Sequence, residues 1–172
     1  MKIVLWTFLV VASMLILITL IGWLLPSDHV ATRVGRYHQP PEVIWAAITD
    51  VDAMPSWREG LKNVERLPDH NGLPAHMEVS SDGKIPMETI EMTAPRKLVS
   101  RIADPKLPFG GTWTFEISPT ADGAALRITE RGYVTNPFFR FISRFVFSQT
   151  STMESYLKSL AKKFGEEPRI GE

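Results

Sequence analysis

The chain has 172 residues, with 19 basic and 19 acidic side chains and no cysteine. A net charge of zero gives nucleic-acid phosphates no electrostatic foothold, and the missing thiol removes disulfides, thiolate metal ligands and a cysteine nucleophile. Beyond the first apolar run, the length suits one domain with a sizeable core rather than two.

That run, residues 3–25, carries no charge. As a helix, its roughly 23 residues reach about 34 Å, enough to cross a hydrocarbon layer of about 30 Å. Trp6 and Trp23 stand near its two ends, where indole rings favour the lipid–water interface, and Pro26-Ser27-Asp28 stops it in polar surroundings. Lys2 gives the weakly positive start of a secretory signal, but the run is longer than a signal core and no small-x-small site follows. The expectation is a retained single-pass anchor over 1–26, a domain over 27–165 and a polar tail over 166–172, at a plasma membrane. Lys2 on one side and Arg33 and Arg36 on the other leave the sidedness open.

Residues 29–37 alternate as a first strand, which Pro40-Pro41 ends. Pro41 suits a helix start, and Val43, Ile44, Ala47 and Ile48 recur at helical spacing up to the turn Asp50-Val51-Asp52. A second short helix is predicted over 55–61, with Trp45 and Trp57 anchoring both helices to a larger body. Strands are then predicted over 64–67, 75–80, 85–92, 98–102, 112–117 and 125–133, separated by turn-forming stretches such as Asp69-His70-Asn71-Gly72 and Ala121-Asp122-Gly123. Connections this short produce an antiparallel meander. Trp113, Phe115 and Ile117 share one strand face. Asn136 as N-cap, Pro137 as first helical residue and Gly165 as terminator predict one long helix over 136–164. Its apolar stripe runs through Phe138, Ile142, Phe145, Gln149, Met153, Tyr156, Leu160 and Phe164. The fold class is therefore α+β: a helix-grip, with an antiparallel sheet wrapped around a long C-terminal helix and two short helices after the first strand.

His29, His38, His70 and His76 sit in separate segments with no metal-ligand spacing, and neither a nucleophile elbow nor a phosphate-binding glycine loop is present. Several local sequences do match a known pattern. Pro41-Glu42-Val43-Ile44-Trp45, the Thr49-Asp50-Val51 turn, Met54-Pro55-Ser56-Trp57, the Ala94-Pro95 break, Gly111-Thr112-Trp113-Thr114-Phe115 and Ile128-Thr129-Glu130 resemble the START-like superfamily often labelled SRPBCC. That superfamily includes birch-pollen-allergen-type proteins and bacterial polyketide cyclase or dehydrase homologues. The resemblance covers residues 29–164 and implies a deep, mainly apolar cavity between sheet and helix that holds a hydrophobic small molecule or lipid, with no cofactor. The apolar leader is an addition to the minimal domain.

The cavity-wall candidates are Trp113 and Phe115 from the sheet, with Phe145, Gln149 and Met153 from the helix; the alternative is that they fill a solid core. Glu130 follows Leu126 and Ile128 onto one strand face, so it can orient a ligand or act as a proton carrier, with Arg101 as a candidate partner. Arg101 shares its face with Val99 and Ala103, while Leu98, Ser100 and Ile102 make an equally good inward face. Glu88 and Glu91 fall on opposite faces of their strand. Phe139, Arg140, Phe141 and Arg144 suit a bilayer interface or a cavity gate. Three functions follow: a membrane-anchored carrier of a hydrophobic small molecule or lipid; a cyclase- or dehydrase-type enzyme using Glu130 or Tyr133; or an assembly protein whose partner the sequence does not name.

Overall fold

A computed structural model of the chain describes residues 2–81, 83–145 and 150–172. It opens with α1, Lys2–Leu24, 23 residues without an acidic side chain and long and apolar enough to cross a membrane. Almost all of α1 is exposed, and Gly22 is its buried residue. The domain follows with β1 (Asp28–Tyr37), α2 (Pro41–Thr49), a 3-10 helix (Val51–Ser56), β2 (Leu61–His70), β3 (Leu73–Ser80), β4 (Lys84–Thr93), β5 (Lys97–Ile102), β6 (Phe109–Thr120) and β7 (Gly123–Val134). It ends with α3 (Pro137–Phe145), α4 (Ser151–Lys163) and β8 (Arg169–Gly171).

The strands form one sheet in the order β2-β3-β4-β5-β6-β7-β1-β8, every neighbouring pair antiparallel. Asn71 and Gly72, both at positive φ (52° and 77°), make the tight β2–β3 turn whose twist matches the strands on either side. The chain thus adopts the helix-grip fold. Ile44 and Ile48 of α2, Leu126 and Ile128 of β7, and Leu157 and Leu160 of α4 form the centre of the core. Trp45 and Trp57 are partly buried against it.

Two helical expectations change. The second short helix lies earlier than 55–61, because the Asp50 carboxylate accepts the Ala53 N–H (3.3 Å) and opens a 3-10 turn at Val51. Gly60, at φ 83°, then turns the chain into β2 at Leu61. The segment 136–164 contains two described helices, and they pack differently. The sheet grips α4: the Tyr37 hydroxyl donates to the Leu157 carbonyl (3.1 Å), and Arg33 Nε donates to Glu154 Oε1 (3.0 Å). By contrast, α3 packs against α1. There Gly22 meets the Pro137 backbone so closely that a Cβ would overlap its carbonyl oxygen. Of the two described helices, α4 lies in the grip of the sheet and α3 lies beside the leader helix. The tail, expected to be only polar, contributes β8 to the edge of β1.

Candidate ligand-binding cavity

Side chains alternate along a strand, so residues two apart share a face. Pro74, His76 and Glu78 of β3, Ile85, Met87 and Thr89 of β4, Leu98, Ser100 and Ile102 of β5, and Trp113 and Phe115 of β6 all point to one concavity. Ile48 and Thr49 of α2, Met54 of the 3-10 helix, Arg58, and Thr152 and Tyr156 of α4 complete it. The room measures about 320 Å³ and its wall is mostly apolar, the size and character of a small-molecule site. Phe109 and Glu130 also belong to the lining, and Phe109 and Thr152 are exposed. Phe109 lies near the foot of α1: it pairs with Val134, whose N–H donates to the Ser27 carbonyl (2.9 Å).

The lining also carries a compact polar group. Arg58 Nη1 donates to Glu78 Oε1, and the same guanidinium lies 5.3 Å from the centre of the Tyr156 ring. Trp57, Trp113 and Phe115 cage that ring at centroid distances of 5.3, 6.1 and 5.6 Å. His76 Nε2 stands 3.7 Å from Glu78 Oε1. Burial opposes ionisation of Glu78, but His76 and Arg58 outweigh it and hold the carboxyl below its ordinary range. Burial pushes the Tyr156 phenol well above its ordinary value, so it stays protonated.

The residues singled out from sequence fall in several places. Trp113, Phe115 and Glu130 line the cavity. Arg101 points the other way: its neighbours Ser100 and Ile102 face the cavity, and its Nε donates to Glu88 Oε1 across β4–β5. The partner of Glu130 is therefore not Arg101 but His29, with Nε2 3.4 Å from Oε1. Met153 is fully buried in the core beneath the sheet and does not line the room. Phe145 sits on α3 at 61% exposure, away from the cavity, because α3 belongs with α1. Gln149 lies outside the described residues. Phe139 is half exposed and Arg144 exposed, while Phe141 stacks on Phe145 at 4.9 Å. Arg140 does something else: it donates to the carbonyls of Val134 (2.7 Å), Thr135 (2.9 Å) and Leu25 (3.2 Å), tying the end of α1 to the domain. Tyr133 is on the rim side of β7, laid over Gly110, where a Cβ would collide with its ring.

Arg58, His76 and Glu78 escaped the sequence reading. The alternation Pro74-x-His76-x-Glu78 was the available signal for two of them, and nothing local marked Arg58.

The family model described as "Polyketide cyclase / dehydrase and lipid transport" matches residues 32–165, most of the chain. The chain belongs to that family. The match takes in every cavity-lining residue and leaves α1 outside it. Among solved structures, truncated norcoclaurine synthase from Thalictrum flavum aligns at a TM-score of 0.64 and 10% identity, over 80% of this chain and 93% of that one. A START superfamily protein from Mycobacterium smegmatis aligns at 0.60 and 16%, over 79% and 95%. The di-domain ARO/CYC StfQ of the steffimycin biosynthetic pathway aligns at 0.59 and 14%, over 81% of this chain and 52% of that one. At these identities the likeness establishes the START-like fold. No curated protein matches the chain. Family and fold together indicate a hydrophobic-ligand-binding or cyclase/dehydrase-type domain.

Proposed function

We propose that this protein is a membrane-anchored binding domain that holds a hydrophobic small molecule or lipid between its sheet and α4. The observation that carries this reading is the apolar room of about 320 Å³, far more space than packed cores leave. Retention of α1 is supported by its fit to the domain. Gly22 is matched to the Pro137 backbone, and the Arg140 guanidinium closes on the Leu25 carbonyl. A leader destined for removal has no use for either contact. The half-exposed rings of Phe139 and Phe145 extend the apolar surface of α1, which suits α3 to the lipid interface. The anchor then keeps the rim at Phe109 and Glu130 close to a reservoir of apolar guests.

Native mass spectrometry of the full chain, extracted in lipid nanodiscs, tests this. A guest mass should accompany the wild type and disappear in Ser100→Phe, which fills the room. A guest-free wild type, or equal retention by the folded variant, contradicts it. The Glu130–His29 pair at the rim favours one second reading, a cyclase- or dehydrase-type enzyme with Glu130 as proton carrier. Loss of turnover in Glu130→Gln at unchanged stability would establish that reading.

A further inference from the structure

The foot of α1 and the start of α3 lie side by side, and their contacts fix the direction in which α3 runs. In β1 and β7 the two stretches are antiparallel, with Asp28 opposite Tyr133. The ladder goes one step further, where the Val134 N–H donates to the Ser27 carbonyl (2.9 Å). The Arg140 guanidinium then joins the Leu25 carbonyl (3.2 Å) to those of Val134 (2.7 Å) and Thr135 (2.9 Å), and Gly22 lies against the backbone of Pro137, the first residue of α3. Each step back along the leader, from Ser27 to Leu25 to Gly22, matches a step forward from Val134 to Thr135 to Pro137. The packing of α3 on α1 extends this antiparallel course. Ile18, Ile21, Gly22 and Leu25 form one covered stripe, while Leu20 and Leu24 on the other side of the leader stay exposed.

A helix fastened antiparallel beside a membrane-crossing helix shares the layer that helix crosses. Resting on the anchoring proposed above, we infer that α3 is a second membrane element, entering the leaflet that holds the C-terminal half of α1 with Pro137 at the surface and Phe145 deepest. Its nine residues descend about 14 Å, close to one leaflet's share of a hydrocarbon core of about 30 Å. Acyl chains that cover the exposed flank of α1 then also cover the exposed rings of Phe139 and Phe145. The two arginines of α3 agree with this direction. Helical side chains lean toward the helix N-terminus, which here is the surface end. Arg140 reaches back to the carbonyls that precede Pro137 and spends its donors there. Arg144 is exposed one turn deeper and has the same direction of reach, which lets its stem lie in hydrocarbon while its guanidinium rises toward the headgroups. The reverse orientation would aim both charges at the bilayer centre.

The test places single nitroxides on the full chain in nanodiscs and compares their collisions with oxygen, which collects in lipid, and with a nickel chelate, which stays in water. Labels on Leu24→Cys and Ile16→Cys, both exposed on α1, calibrate depth over eight residues, about 12 Å. Phe139 and Phe145 are exposed as well, so labels there leave the packing intact. They are six residues apart, about 9 Å, and the label on Phe145→Cys should be deeper than that on Phe139→Cys by about three-quarters of the calibrating step. Equal depth at the two sites means a helix lying flat, free collision of both with nickel means a helix outside the bilayer, and shelter from both reagents means a protein contact. Each of these overturns the second membrane element and leaves the anchor standing. Nickel reaching the Ile16→Cys label as readily as one on Lys106→Cys overturns the anchor and this inference with it.

Discussion

At the scale of single residues, Tyr156 carries a buried hydroxyl with no hydrogen-bond partner among the described residues. Removing the unpaired Tyr156 hydroxyl should therefore not weaken the guest-free protein. Tyr156→Phe is expected to leave stability unchanged or raise it by about 1 kcal/mol in chemical denaturation, the opposite of the usual effect of a buried substitution. Arg58→Met should cost about 3 kcal/mol, since it leaves the Glu78 carboxylate buried without its cation. The pH dependence follows from the same group. Glu78 is held below its ordinary 4.5, so its contribution is complete above that value and is lost as pH falls through the depressed native one. Glu78→Gln should flatten the acid limb of stability below that ordinary value, read from denaturation midpoints. Asp52, Asp122 and Glu154 are lowered in the same direction beside Arg66, Arg169 and Arg33, but their ion pairs are solvent-screened and leave only a shallow slope. The period-two rule was enough to bring Trp113 and Phe115 to the cavity from sequence. It could not choose the inward face of β5, where Arg101 and Ser100 compete, because cross-strand pairing with Glu88 is a tertiary fact.

At the scale of elements, sequence read the strands well and the C-terminal helices less well. Turn residues such as Asn71-Gly72 bracket each hairpin locally, so the order of the meander was legible. The stripe from Phe138 to Phe164 has one helical period, and a period cannot tell which body each half meets. The packing of α3 on α1 joins residues more than a hundred positions apart, and no local pattern encodes it. Gly22→Leu should separate the two helices and speed hydrogen exchange in α3 while leaving α4 protected, as read by exchange mass spectrometry in nanodiscs. The chain has no cysteine, so a nitroxide attached to Phe139→Cys reports position directly. Its collision with lipid-soluble oxygen should exceed that of a label on Lys106→Cys, in the exposed β5–β6 loop.

At the scale of the whole molecule, two features lie side by side that the family match separates: a grip domain with room inside it, and a leader helix fastened to that domain. The fastening runs through the Val134 N–H to the Ser27 carbonyl and the Arg140 guanidinium to the Leu25 carbonyl, which hold the foot of α1 beside the domain. The proposed function requires exchange of an apolar guest between bilayer and cavity. The most direct measurement is photolabelling of the full chain in nanodiscs doped with a long-chain alcohol bearing a diazirine, followed by peptide mapping. Adducts on the cavity residues Met87, Trp113 and Tyr156, competed by excess unlabelled alcohol and abolished by Ser100→Phe, are the expected result. Adducts confined to α1 and α3, with the cavity residues unlabelled, would contradict it.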